Sequence, residues 1–226
     1  LHVKIIGNPL NVTSAIYQKY IVIYGMMRPA SMNKVLLFNP RATRYKARIP
    51  NSILQIAASI DGKYAYAIVD GNLEEDPWHA LLHYLETGDY RYFALSVMPG
   101  PQLKQAIPFS KRAKELFPGL TIIWGGYFAS NQPEVVLQSG YVNYIVYGPG
   151  DKTFPELLHH IENGLPVQSI NNLIYVNGGK IVKTTKDELY DQDELPALPY
   201  EKLNSFYPLK NYLGKTYLGR KTIAYH

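Results

Sequence analysis

A chain of 226 residues is long enough for one large domain, or for one domain and part of another. Its 46% hydrophobic and 18% charged residues are those of an ordinary globular protein. A net charge of +5 without a Lys/Arg-rich run excludes a dedicated nucleic-acid surface but still suits an anionic ligand such as a phosphodiester. The lack of cysteine excludes disulfides and thiolate-bound metals within these residues, and points to a reducing, cytoplasmic setting. No segment approaches the ~18 uninterrupted apolar residues of a membrane span.

The chain opens on Leu1, and "MNKVLLFNP" at Met32 reads as a natural start, so residues 1–31 are expected to be an extension outside the fold. From Lys34 onward, short β-rich runs alternate with helical patterns. The strands are expected at 34–39, 64–70, 92–97, 120–125 and 141–148, nearly continuously apolar as in a parallel sheet covered on both faces. Helices are expected at about 50–60, 77–87, 101–116, 131–139 and 152–163. In the second, Trp78, Leu81, Leu82 and Leu85 form one stripe, after an Asp76-Pro77 start that suits a helix cap. This alternation over 32–165 predicts a doubly wound, mostly parallel, five-stranded Rossmann-like sheet of flavodoxin-like order.

Residues 166–218 then read as a β-hairpin and linker. "NNLIYVNGGKIVKT" (171–184) holds two β runs around Asn177-Gly178-Gly179, and "DQDELPALPYEKL" (191–203) is acidic and proline-punctuated. "KTIAYH" stops inside an expected strand, so residues 219–226 are taken as the start of a further domain and the chain as a fragment.

Ligands of such sheets sit beyond the carboxyl ends of the strands, where the strand order reverses. Here those ends are "NPRA" (39–42), "SVMPGPQ" (96–102) and "GGYFAS" (125–130). The loop after the first strand has no glycine, against a phosphate-cradling flavodoxin or dinucleotide fold, and no acidic pair, against a phosphorylated receiver domain. Glycines gather instead in "MPGPQ", "WGGY" and "YGPGDKTF", three turns after consecutive strands that suggest a bare backbone floor for a large, flat ligand. Among the histidines, His79 and His83 have helical metal-pair spacing, but they oppose the leucine stripe and read as a solvated face; His159 and His160 are adjacent and point apart. No metal site is expected, and no Ser/His/Asp set or carboxylate pair stands out.

The pieces "KVLLFNPRA", "ALSVMPGPQLKQAIPFSKRAKELFPGLTIIWGGYFASNQPEVVL", "YVNYIVYGPGDKTFPELL" and "DELPALPYEKL" together resemble the cobalamin-binding domain and linker of cobalamin-dependent radical S-adenosylmethionine (SAM) proteins. The family's Gly-Glu-Gly-Glu stretch here reads Gly148-Pro149-Gly150-Asp151, keeping both glycines and losing one carboxylate. The resemblance implies a corrin ring over the carboxyl edge and a nucleotide tail threaded between strands and helices. Carried onto this sequence, the cofactor-binding candidates are Asn39, Pro40, Ser96, Gly100, Gln102, Gly125, Gly126, Tyr127, Gly148 and Gly150. Ser96, Gly125 and Gly126 would line the tail's slot, although Ser96 reads equally well as a small core residue. Gln102, Tyr127 and the backbone at Gly148 and Gly150 would bond the ring's amides. A leucine at Gly126 is expected to block the slot and leave the sheet folded.

The cobalt-ligating Asp-x-His-x-x-Gly loop of other cobalamin domains is represented by Asp70-Gly71-Asn72-Leu73-Glu74-Glu75, with Asn72 at the histidine position, so no axial histidine is expected from it. The resemblance further implies a 4Fe-4S cluster and S-adenosylmethionine in a part beyond this chain, with the first cluster cysteine within about ten residues of His226. It also implies an electron donor, an unknown small-molecule or peptide substrate, and most often methyl transfer. Two other readings stand beside it: a stand-alone corrinoid carrier, and a nucleotide-sugar-type transferase, for which the expected acidic metal-binding pair is not found.

Overall fold

The computed structural model describes residues 33–43, 45–187, 191–215 and 221–223. The expected extension at 1–31 and the last three residues of "KTIAYH" lie outside the described residues. One mixed sheet of seven strands runs in the order β2-β1-β3-β4-β5-β6-β7. Its strands are β1 (Lys34–Asn39), β2 (Tyr66–Asp70), β3 (Tyr90–Ser96), β4 (Thr121–Gly125), β5 (Tyr144–Val146), β6 (Leu173–Asn177) and β7 (Lys180–Lys183). The first five are parallel in the flavodoxin-like order, which puts the reversal point between β1 and β3. The hairpin at Asn177–Lys180 forms as its sequence requires, with Gly178 and Gly179 both at positive φ. It is not set apart from the sheet, because β6 pairs antiparallel with β5 and extends it.

Alternate side chains of the strands feed two cores. Leu36, Phe38, Phe93, Leu95, Ile122 and Trp124 face α2 (Pro77–Thr87), α3 (Leu103–Leu116), α4 (Gly126–Asn131) and α5 (Pro133–Gln138). Val35, Leu37, Tyr92, Ala94 and Ile123 face α1 (Asn51–Ile60), α6 (Thr153–Asn163) and Leu203 of α7 (Tyr200–Phe206). Each large side chain buried this way contributes about 1.5–3 kcal/mol, which makes the two-sided covering the main stabilising term. Local signals set the helix ends. The Asp76 carboxylate accepts from the His79 amide at 3.1 Å ahead of Pro77, and Gly164 closes α6 in the left-handed region at φ 62°.

Two departures from the sequence reading concern short helices. The fourth helical region begins at Gly126 rather than near 131 and is broken at Gln132-Pro133 into α4 and α5. The proline-punctuated stretch contains α7, whose Leu203 is fully buried and whose Lys202 pairs with Asp61 at 2.8 Å. Beyond it, β8 (Leu213–Lys215) and β9 (Lys221–Ile223) form a separate antiparallel pair. Among the described residues, no helix is long and apolar enough to cross a membrane.

Candidate functional site

Strands β1, β3, β4 and β5 end side by side, and α1 and α6 begin above them. Between the amino-terminal halves of these helices lies a cleft of about 230 Å³. Leu37, Ala94, Ile123 and Val146 form its floor, one from each strand, and Ile53, Ile56 and Phe154 form its walls. Ser96, Gly125, Gly126, Gly148 and Gly150 also line it, with Ser52, Gln55 and Asp151 as further polar residues. Ser96 and Gly125 are register partners across β3 and β4, so the small residues meet where the two strands end.

The two adjacent glycines differ. Gly125 has an extended backbone, and a Cβ there would sit 3.5 Å from the Val146 carbonyl and 3.8 Å from that of Leu95, which is ordinary contact. Gly126 has φ +84°, and its Cβ would fall 2.7 Å from the Val97 nitrogen and 2.9 Å from the Val97 oxygen. The cause is a clasp: the Val97 amide donates to the Gly125 carbonyl and the Phe128 amide to the Val97 carbonyl, both at 3.0 Å. What approaches the bare backbone of Gly126 is therefore the protein's own chain. A leucine at Gly126 would strain the fold before it blocked anything, which corrects the expectation that the sheet would tolerate it.

The far side of the clasp holds the third glycine turn. Ser130 donates to the Gly126 carbonyl at 2.9 Å and accepts from the Gly148 amide at 3.3 Å. At Gly150 a Cβ would meet the end of the Ile56 side chain at 2.8 Å, so the missing side chain lets the β5–α6 loop approach α1.

Asn39, Pro40 and Gln102 belong to a different arrangement. Gln102 is buried; its carbonyl oxygen accepts from the Met98 amide at 2.6 Å and its Nε2 donates to the Pro40 carbonyl at 2.9 Å. Asn39 donates to Asp70 at 2.9 Å. Asp70 is fully buried and also accepts from the Asn72 amide at 3.0 Å, from Asn72 Nδ2 at 2.9 Å and from the Tyr212 hydroxyl at 2.8 Å. Burial raises the Asp70 carboxyl above its ordinary range, the hydrogen bonds opposing it. Asn72, at the position of the absent histidine, receives the Ala42 and Thr43 amides on its oxygen at 2.9 and 3.2 Å, so its carboxamide is engaged within the protein.

Gly100, at φ +93°, sits in the exposed turn before α3, and Tyr127 stands 62% exposed on α4; neither lines the cleft. His79 and His83 are exposed, and among the described residues no group of three or more His, Cys, Asp or Glu side chains is placed to hold a metal ion. Sequence reasoning missed Gln55 as a lining residue. Its signal was faint: with Ser59, it is one of two polar residues in the otherwise apolar run 53–60 of α1.

No family model and no curated protein matches the chain. Solved structures do. The cobalamin-dependent S-adenosylmethionine radical enzyme OxsB with aqua-cobalamin bound is similar at a TM-score of 0.68 and 18% identity, over 80% of this chain and 26% of that one. The radical S-adenosylmethionine methyltransferase TsrM from Kitasatospora setae, with cobalamin and a [4Fe-4S] cluster bound, gives 0.60 and 19%, over 74% and 31%. The chain thus spans less than a third of either enzyme and shares the α/β fold of that part.

Proposed function

We propose that this chain is the cobalamin-binding part of a radical SAM enzyme, a methyltransferase or a relative using similar radical chemistry. The observation that carries the reading is the cleft itself: a mostly apolar slot between α1 and α6, with side-chain-poor Ser96, Gly125, Gly148 and Gly150 along it, on the edge where this fold takes its ligands. A corrin's nucleotide tail fits such a slot. Gly125 has room that a Cβ would narrow, and the Gln55 amide nitrogen is a buried donor without a protein partner.

In this reading Ser96, Gly125, Gly148 and Gly150 contact the tail, while the exposed Gly100 turn and Tyr127 border the face over which the ring lies. Asn39, Pro40 and Gln102 act from within, holding the ends of β1 and β3 in place. Bound cobalamin would supply a cobalt centre able to carry a methyl group; the protein's share is to seat the ring and exclude water from the tail. With no cysteine among its 226 residues, the chain offers no thiolates for a 4Fe-4S cluster. Cluster, S-adenosylmethionine, electron donor and small-molecule or peptide substrate are assigned to a part of the whole enzyme outside these residues.

Titration of the purified chain with hydroxocobalamin tests this. One equivalent retained through gel filtration, with a shifted corrin absorption band, is the expected result. Failure to retain any corrinoid would overturn the reading.

A further inference from the structure

One donor of the cleft lacks an acceptor. Gln55, on the second turn of α1, lines the cleft, and its Nε2 is buried with no hydrogen-bond partner. A buried donor left unpaired costs about 1–3 kcal/mol, so one that persists beside a cavity calls for an acceptor that completes it. The rest of the lining says what kind. No lysine or arginine is among the lining residues, and the only charged one is Asp151, which is acidic. A phosphate drawn inside would meet no counter-charge. The floor and walls are aliphatic and aromatic, suited to a neutral flat ring. An apolar cavity of about 150 Å³ accepts benzene, and the cleft at about 230 Å³ has room for a fused two-ring heterocycle.

We propose that Gln55 Nε2 donates a hydrogen bond to the unsubstituted ring nitrogen of the benzimidazole base at the end of cobalamin's tail, fixing that base between α1 and α6. This rests on the cobalamin reading above. The ring nitrogen has one lone pair, so it accepts this bond only when it is not bound to cobalt. Gln55 is thus a specificity residue for the base, and the phosphate of the tail stays outside the apolar slot.

The test uses the whole chain, its Gln55→Leu variant, and two ligands: hydroxocobalamin and cobinamide, which keeps the ring and lacks the nucleotide. The wild type should prefer hydroxocobalamin. Gln55→Leu should weaken hydroxocobalamin about tenfold, leave cobinamide unchanged, and melt without ligand at the wild-type temperature or above, because an unpaired donor has been removed. Unchanged hydroxocobalamin affinity, an equal loss for both ligands, or a lowered apo melting temperature would each overturn the assignment. A wild type that binds both ligands equally would remove the base from the cleft and leave ring binding intact. A wild type that binds neither would instead sink the cobalamin reading itself.

Discussion

Two stretches of the same sheet edge are finished in opposite ways. At the ends of β1 and β2, Asp70 is fully buried and takes up four hydrogen bonds from Asn39, Asn72 and Tyr212, while Gln102 binds the neighbouring backbone through both ends of its amide. Towards the ends of β3, β4 and β5, beneath α1 and α6, there is an open apolar slot with small residues and a buried amide donor of α1 without a partner. Both stretches are turns after parallel strands, the first polar and the second glycine-rich, yet one is closed by its own contacts and the other is left incomplete. A saturated polar network rigidifies an edge; an unsaturated one is where a ligand can add free energy.

Removing the Asp70 carboxylate should have the largest effect. Asp70→Ala leaves several buried donors unpaired and should destabilise the fold by about 3 kcal/mol or more, read as a lowered denaturation midpoint. The same residue gives a pH test. Because burial raises its folded-state pKa, its contribution is fully present below the unfolded value of 3.8 and is lost as pH rises through the raised value. Wild-type stability relative to Asp70→Asn should therefore be greatest in acid and shrink as pH rises; a constant difference would contradict it.

The adjacent glycines should separate fold from binding. Gly126→Ala places a Cβ against the Val97 backbone at a positive φ and should lose about 1–3 kcal/mol of stability. Gly125→Ala should melt within about 0.5 kcal/mol of wild type and still weaken hydroxocobalamin binding several-fold. Equal melting temperatures for the two variants would dissolve the contrast. The smallest expected signal is none: the electron paramagnetic resonance spectrum of the cob(II)alamin form should not change on ¹⁵N-histidine labelling, because the histidine position holds Asn72 with its amide engaged elsewhere.

The sheet was legible because nearly continuous apolar runs separated by helical stripes leave few alternatives, and the reversal point followed from strand order. Short elements escaped the same logic. Six-residue α4 starts on Gly126, a residue that usually ends structure, and α7 is held by Leu203, by the partly buried Tyr200 and Phe206 and by the Lys202–Asp61 pair inside a proline-punctuated run. At the site, glycine could be read as a missing side chain but not as missing for whom: Gly126 accommodates Val97, whereas Gly125 leaves room. Gln102 looked available as a donor because sequence shows a carboxamide and not its partners. Gln55 was overlooked because one glutamine in a helix is usually at the surface.

The bond from Tyr212 to Asp70 joins residues 142 positions apart, and Tyr207, bonded to the Asp70 amide at 3.1 Å and to Glu74 at 2.6 Å, spans nearly as far. Contacts of such sequence separation add little to the early collapse of a chain, because the loop they close must first be ordered at an entropic cost. The segment carrying α7 should thus lock on after the parallel sheet has assembled, and it does so on a strand made more than a hundred residues earlier. During synthesis, Asp70 would wait in water for its last partner, and the completed edge would report that the whole length between has folded.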